Sequence, residues 1–202
     1  MRHCRPVIAL LLATATALSA QDNFIALPTY EISIPVGDTK DFVSPASWVG
    51  FGWEGRWRVA RRATAGFAIG VNEFSERFNG TTNFPSGSAT GPQFRYLLSV
   101  PLLGTGHMYF GEEDGFRWYA GGGAGIASMR QVFELGTRQL SRNAWHFLVS
   151  PEVGTEVLRF GGDLAGLVSL RYNLPLSTGD YVGGGDRSFQ YFTLRLGVGE
   201  RW

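Results

Sequence analysis

Apolar residues in this chain recur at every second position rather than every third or fourth. Successive side chains leave a pleated strand on opposite sides, so this period predicts strands with one apolar face. Eight segments fit. In the first, Tyr30, Ile32, Ile34 and Val36 alternate with Glu31 and Ser33. In the second, Val49, Phe51, Trp53, Trp57 and Val59 oppose Glu54, Arg56 and Arg58. The third sets Ala65, Phe67, Ile69 and Val71 against Thr64, Gly66, Ala68, Gly70 and Asn72. The fourth is long, with Phe94, Tyr96, Leu98, Val100, Leu102, Met108 and Phe110 against Arg95, Ser99, Thr105 and His107. The fifth carries Phe116, Trp118, Ala120, Ala124 and Ile126 against Arg117, Tyr119 and three glycines. The sixth carries Trp145, Phe147, Val149, Val153 and Val157 against His146, Ser150, Glu152 and Glu156. The seventh sets Leu164, Val168, Leu170 and Tyr172 against Ser169, Arg171 and Asn173. The eighth sets Phe192, Leu194, Leu196 and Val198 against Thr193, Arg195, Gly197, Gly199 and Arg201.

The connections alternate in length. Short turns are expected at 60–63, 111–115 and 158–163, and longer loops at 37–45, 77–92, 133–142 and 175–187. Eight strands joined in this way predict an all-β fold, an eight-stranded antiparallel up-and-down transmembrane β-barrel. One domain is expected over residues 21–202, with 21–28 as a short lead-in. Pro35, Pro101 and Pro151 interrupt alternating runs, which points to strand ends for the first and third and a bulge at Pro101. By strict counting Glu73 and Arg130 fall on the apolar face, so they belong above the membrane or the register shifts there.

A soluble lipocalin-like barrel has the same period with its apolar face turned inward, and alternation alone does not separate the two. The aromatic residues do. With the N-terminus and short turns on the periplasmic side, Tyr30, Trp57, Phe110, Phe116, Trp118 and Trp202 collect at one end of the apolar face. Phe51, Phe94, Tyr96, Trp145, Phe147, Tyr172 and Phe192 collect at the other, with an aliphatic belt between them. Amphipathic rings gather at the two membrane–water interfaces, whereas a soluble core has no cause to sort them. In lipid every backbone N–H and C=O must be paired internally, and a closed sheet achieves this without a free edge.

Export is expected as well. Arg2 and Arg5 precede an apolar run from Val7 to Leu12 and a small-residue exit, Leu18-Ser19-Ala20, a signal-peptide pattern with cleavage after Ala20. Cys4, the single cysteine, is lost with residues 1–20, so an exported chain would carry no disulfide. The full chain has 18 basic and 17 acidic residues; without Arg2 and Arg5 the balance is 16 to 17. That argues against nucleic acid, which needs a concentrated basic face. The destination is the cell outer membrane, with membrane lipids as surroundings and a monomer as the assembly.

Several stretches resemble the small bacterial outer-membrane β-barrel proteins, OmpA- and OmpX-like in size, and the outer membrane protein β-barrel domain family of Bacteroidota-type bacteria. They are Ser99-Val-Pro-Leu-Leu103 leading to Met108-Tyr-Phe110, Tyr119-Ala-Gly-Gly-Gly-Ala-Gly125, Trp145-His-Phe147 and Ser150-Pro-Glu-Val-Gly154. These are packing and turn signatures, so the resemblance implies architecture rather than activity. The last strand also resembles the signal read by the barrel-assembly machinery. Arg195, Gly197 and Trp202 match it, while Glu200 stands where an apolar residue is usual. The resemblance therefore implies that machinery as a partner during insertion.

Inward charges form the remaining chemistry: Glu31, Glu54, Glu152 and Glu156 against Arg56, Arg58, Arg95, Arg117, Arg171, Arg195 and Arg201. They read either as an arginine-lined anion path or as an ion-pair network filling the lumen. An eight-stranded barrel has little room beyond its side chains and a buried charge must be paired, which favours the network. His146 near Ser150 and His107 near Thr105 are the nearest approaches to a base and nucleophile, but neither pair has an orienting acid in sequence. No metal or cofactor motif is present; Gly183 to Gly185 with Asp180 and Asp186 reads as a loop tip. The expected role is structural or surface-interacting, not enzymatic, with specificity in 77–92 and 175–187 and an extracellular partner of unknown kind. A lipid-modifying enzyme and a narrow channel are the alternatives.

Overall fold

A computed structural model describes residues 24–200 apart from 85–86, 112–116, 160–163, 177–178, 181 and 183–185. The expected leader at 1–20, Phe116, Arg201 and Trp202 lie outside the described residues, as do the side chains of Glu156, Asp180 and Asp186. The strands are β1 (Phe24–Gly37), β2 (Gly50–Ala60), β3 (Ala63–Phe84), β4 (Gly87–Phe110), β5 (Arg117–Leu135), β6 (Arg138–Arg159) and β7 (Leu164–Pro175). After them come β8 (Gly179–Asp180), β9 (Asp186–Arg187) and β10 (Phe189–Glu200), and a short helix α1 (Asp38–Phe42) follows β1.

Eight strands close into one antiparallel barrel, with neighbours in sequence order and β10 returning to β1. Strands β8 and β9 form a separate two-stranded sheet in the last long connection. The expected facing holds around the ring. Glu31, Ser33, Glu54, Arg56, Asn72, Ser99, Glu152, Arg171 and Arg195 are buried in the lumen. Outside, Ile69, Leu102, Ile126, Val153 and Leu170 are exposed. An outward apolar band on a closed sheet is the arrangement for lipid rather than water.

Four expectations need correction. Strand β1 begins at Phe24, so residues 24–28 are not a lead-in: Ile25 and Leu27 point inward, and Phe24 pairs with Trp57. Phe24, not Tyr30, therefore supplies the β1 ring at the short-turn end; Tyr30 sits opposite Phe51, and its hydroxyl donates to the Trp48 carbonyl. Residues 77–92 and 133–142 are strand rather than loop. The β3–β4 ladder runs up to Phe84↔Gly87, and the β5–β6 ladder up to Leu135↔Arg138. Gly136, at φ +59°, opens the two-residue turn between β5 and β6, where a side chain would be strained.

Pro101 makes no bulge, and Pro151 lies inside β6 rather than at a strand end. Pairing of β3 with β4 lapses beside Pro101, between Ile69↔Leu102 and Asn72↔Ser99, and resumes in the same register. Pairing of β6 with β7 lapses in the same way beside Pro151, between Val149↔Leu174 and Glu152↔Arg171. Each proline forgoes a ladder bond to one neighbour without shifting the strand. The register shifts fall at Arg58/Ala60 and Glu156/Leu158, close to the short connections.

Strand lengths are unequal. The β2–β3 ladder ends at Gly50↔Asn72, so the twelve residues 73–84 of β3 continue without a β2 partner. That is about 40 Å of strand. With β4, β5 and β6 it forms a four-stranded sheet standing beyond the barrel mouth. The apolar packing inside the mouth begins with α1: Phe42 and Val43 are fully buried among Phe74, Leu97, Met129, Leu148, Phe189 and Tyr191.

Candidate functional site: a layered lumen and a protruding sheet

The lumen is stacked in layers. At the short-turn end Ile25, Leu27, Tyr109, Tyr119 and Leu167 form an apolar cluster. Above it lies a charged belt. Arg56 Nε donates to Glu54 Oε1 at 2.9 Å, and Arg171 Nε donates to Glu152 Oε2 at 2.7 Å. Arg195 reaches both carboxylates, with Nη1 at 2.9 Å from Glu54 Oε2 and 2.9 Å from Glu152 Oε1. Its Nε donates to Glu31 Oε1 at 3.2 Å. Three carboxylates thus face three guanidiniums, which is how an interior holds charge without leaving any uncompensated.

Two tyrosines complete the belt. Arg56 Nη1 donates to Tyr109 Oη at 2.9 Å, and Tyr119 Oη donates to Glu152 Oε1 at 2.8 Å. The Arg56 guanidinium also lies 4.7 Å from the Tyr119 ring centre, within cation–π range. Gly154 leaves the space for that ring: a Cβ there would sit 2.5 Å from Tyr119 Oη. Above the belt is a neutral layer. Ser33 donates to Asn72 Oδ1 at 2.6 Å, Ser150 to Asn173 Oδ1 at 2.9 Å, and Asn173 Nδ2 to Thr193 Oγ1 at 2.9 Å. The apolar layer under α1 closes the top.

Of the eleven inward charges expected, Glu31, Glu54, Arg56, Glu152, Arg171 and Arg195 meet in one belt, and Arg201 is outside the described residues. Arg117 lies over the Tyr109 ring at 4.6 Å, towards the short-turn end, and half-buried Arg58 is at the same end on β2. The Glu156 side chain is outside the described residues. Arg95 belongs elsewhere: it sits above the apolar layer, donating to the Phe42 carbonyl at 3.1 Å and to Gln93 Oε1 at 3.1 Å. Alternation assigned its face correctly but not its height, because β4 runs on past the membrane.

His107 enters the belt in a way its sequence neighbourhood does not reveal. It is buried, with Nδ1 3.7 Å from Glu54 Oε1 and Nε2 4.0 Å from Glu152 Oε2, and neither nitrogen makes a hydrogen bond among the described residues. Glu54, His107 and Glu152 each bring a ligand atom within 4.8 Å of one another. A divalent cation does not fit there, since Arg56, Arg171 and Arg195 already hold both carboxylates and would oppose further positive charge. The His146–Ser150 pairing does not form a nucleophile, because the Ser150 hydroxyl is given to Asn173.

On the outer face of the protruding sheet, cross-strand pairing aligns Arg77, Phe94 and Glu134 in one row. The next row is Asn79 and Pro92. There β4 loses its β5 partner, since the last β4–β5 pair is Gln93↔Leu135 and β5 turns at Gly136. The step between the two hairpins holds a cavity of about 520 Å³, lined by these residues.

No protein-family model matches the chain, and no curated protein matches it. Solved structures do. Neisserial surface protein A (NspA) superposes with a TM-score of 0.53 at 11% identity, covering 89% of this chain and 97% of that one. Ail, the attachment invasion locus protein of Yersinia pestis, gives 0.50 at 12% identity over 90% of this chain and 100% of its own. Ail in complex with the heparin analogue sucrose octasulfate gives 0.51 at 11% identity, with the same coverage. At such identities the likeness speaks for architecture, and it agrees with the ring of eight antiparallel strands and their outward apolar band. The chain has the fold of the small eight-stranded outer-membrane β-barrels, OmpA/OmpX-like in architecture.

Proposed function

We propose that the protein is a monomeric barrel of the outer membrane that presents its β3–β6 sheet as a surface-recognition platform. The observation that carries this reading is the length mismatch in the ring. Strands β3 to β6 run far beyond the apolar band, while β1, β2, β7 and β10 stop near it, so extra sheet is built where lipid does not require it. The barrel is then the anchor, held in membrane lipids, and the layered lumen is packing rather than a path. Apolar layers lie on both sides of the charged belt and interrupt any polar route, which argues against a channel. The absence of a formed base–nucleophile pair at His146–Ser150 argues against a lipid-modifying enzyme. The Ail complex is a precedent for a barrel of this fold holding a heparin analogue.

Export by the residue 1–20 leader, with cleavage after Ala20, and recognition of Arg195, Gly197 and Trp202 by the barrel-assembly machinery belong to the same reading. The test is to recover the protein from fractionated cells, run it on gels with and without boiling, and digest intact cells with protease. Outer-membrane recovery, a heat-dependent mobility shift and cleavage confined to 77–92 and 133–142 are expected. A detergent-free soluble protein in the periplasm would overturn the reading and turn the apolar faces inward.

A further inference from the structure

We propose that the cavity at the step between the β3–β4 and β5–β6 hairpins is a binding site for a neutral glycan, with one pyranose ring stacked on Phe94. The proposal rests on the surface-recognition reading above and names the ligand class that the platform would take.

The geometry begins with the row Arg77, Phe94 and Glu134. Neighbouring strands lie about 4.8 Å apart, so Arg77 and Glu134 flank Phe94 at about one strand spacing each. A six-membered sugar ring laid on the phenyl face puts its hydroxyls at about that distance on either edge. The flanking groups are complementary in kind. A guanidinium only donates hydrogen bonds and a carboxylate only accepts them, so the pair is satisfied together by groups that do both, and hydroxyls do both. Asn79, in the row above, adds an amide able to donate and accept.

The side chains are available. Arg77, Asn79 and Glu134 have no hydrogen-bond or ion-pair partner among the described residues, and Phe94 meets no other ring there. Arg77 and Glu134 do not neutralise each other directly because Phe94 stands between them. The cavity volume of about 520 Å³ lies within the usual range for small-molecule sites.

The rear wall is fixed in advance. Gln93 Nε2 donates to the Gly80 carbonyl at 3.1 Å, and its Oε1 accepts from Thr82 Oγ1 at 2.6 Å and from Arg95. The Arg95 guanidinium also covers the Phe78 ring at 4.8 Å. Pro92 has no N–H to offer β5, which suits the place where the two hairpins part and the cavity opens. A rigid wall lowers the ordering cost of binding, which matters for a ligand held by weak stacking and a few hydrogen bonds.

Charge decides between kinds of glycan. One guanidinium and one carboxylate give the cavity no net charge, so a sulfated or otherwise polyanionic sugar gains one contact and meets one repulsion. A neutral oligosaccharide meets neither penalty.

The test is calorimetric titration of the detergent-folded full chain with maltohexaose, chitotetraose and sucrose octasulfate as probes. The mobility shift on boiling is recorded for every preparation, so loss of the barrel is distinguished from loss of the site. Binding of a neutral probe is expected, weakened at least tenfold by Phe94→Ala and severalfold by Arg77→Ala or Glu134→Gln. Phe94→Tyr, which keeps the platform, should bind within twofold of the parent. The proposal is overturned if the folded protein binds neither neutral probe at millimolar concentration. It is overturned equally if Phe94→Ala binds as well as the parent, or if sucrose octasulfate alone binds and only Arg77→Ala weakens it.

Discussion

Arg195 on β10 reaches across the lumen to Glu152 on β6, with its Nη1 at 2.9 Å from both carboxylate oxygens. Strand β7 lies between the two strands in the ring, so the contact braces the barrel across its interior rather than along a ladder. Removing one member leaves buried charge without compensation. Arg195→Leu is expected to destabilise the protein by about 3–5 kcal/mol, because Glu152, Glu54 and Glu31 all lose a guanidinium. Urea unfolding in lipid vesicles measures this. A loss below about 1 kcal/mol would show the belt to be hydrated rather than dry.

Exposed apolar residues at two heights of one strand make a sharper test of solvent. Val153 and Leu140 are both on β6 and nearly equally exposed, at 57% and 56%. Val153 is in the apolar band beside Leu170, and Leu140 is on the protruding sheet opposite Phe133. Val153→Arg is expected to cost about 2–4 kcal/mol, the range for arginine on a lipid face near the midplane. Leu140→Arg should stay within about 0.5 kcal/mol, as for an ordinary water-facing position. Vesicle unfolding of both variants checks the difference; equal costs would remove the membrane assignment.

These two residues also show how far the sequence could be read. Alternation placed Val153 outward and Glu152 inward because a one-residue slip would reverse every side chain, so facing is strongly encoded. Height along the barrel is not encoded in the same way. The mainly polar composition of 77–92 and 133–142 reads as loop, yet those residues pair as strands beyond the membrane, where no apolar face is needed to form a ladder. The same blindness placed Arg95 in the central belt, since its inward side is evident and its distance from Glu54 is not. His107 escaped the expected network because its carboxylate neighbours come from β2 and β6, which only closure of the ring brings to β4. Phe24, Ile25 and Leu27 were missed as strand because their alternation is broken by Ala26 and Pro28.

His107 gives a prediction of opposite sign. Both of its ring nitrogens are buried without a hydrogen-bond partner, at 3.7 and 4.0 Å from the nearest carboxylate oxygens. A buried polar group left unpaired carries a desolvation penalty of about 1–3 kcal/mol. His107→Leu keeps similar bulk against Tyr119, whose ring centre is 5.2 Å away, and removes both unpaired atoms. Stability should be unchanged or rise by about 1 kcal/mol. Marked destabilisation in vesicle unfolding would mean that the imidazole serves the belt through a bridging group.

Gly154 and Tyr119 test how tightly the lower lumen is packed. Gly154 pairs with Tyr119 across β5 and β6 and with Ser169 on β7. A Cβ at Gly154 would lie 2.5 Å from Tyr119 Oη and 2.7 Å from Ser169 Cβ, closer than atoms approach without something moving. The tyrosine ring cannot retreat freely, since Arg56 and His107 contact its faces and Glu152 accepts from its hydroxyl. Gly154→Val is therefore expected to cost about 1–3 kcal/mol by overpacking and to break the Tyr119–Glu152 bond. Pairing it with Tyr119→Leu should recover part of the loss, because the atoms in the way are the Cζ carbon and hydroxyl oxygen at the tip of the tyrosine ring, and leucine has neither. A double-mutant cycle in vesicles reads the coupling directly, and strictly additive costs would show that the ring swings aside and the glycine is not needed for its placement.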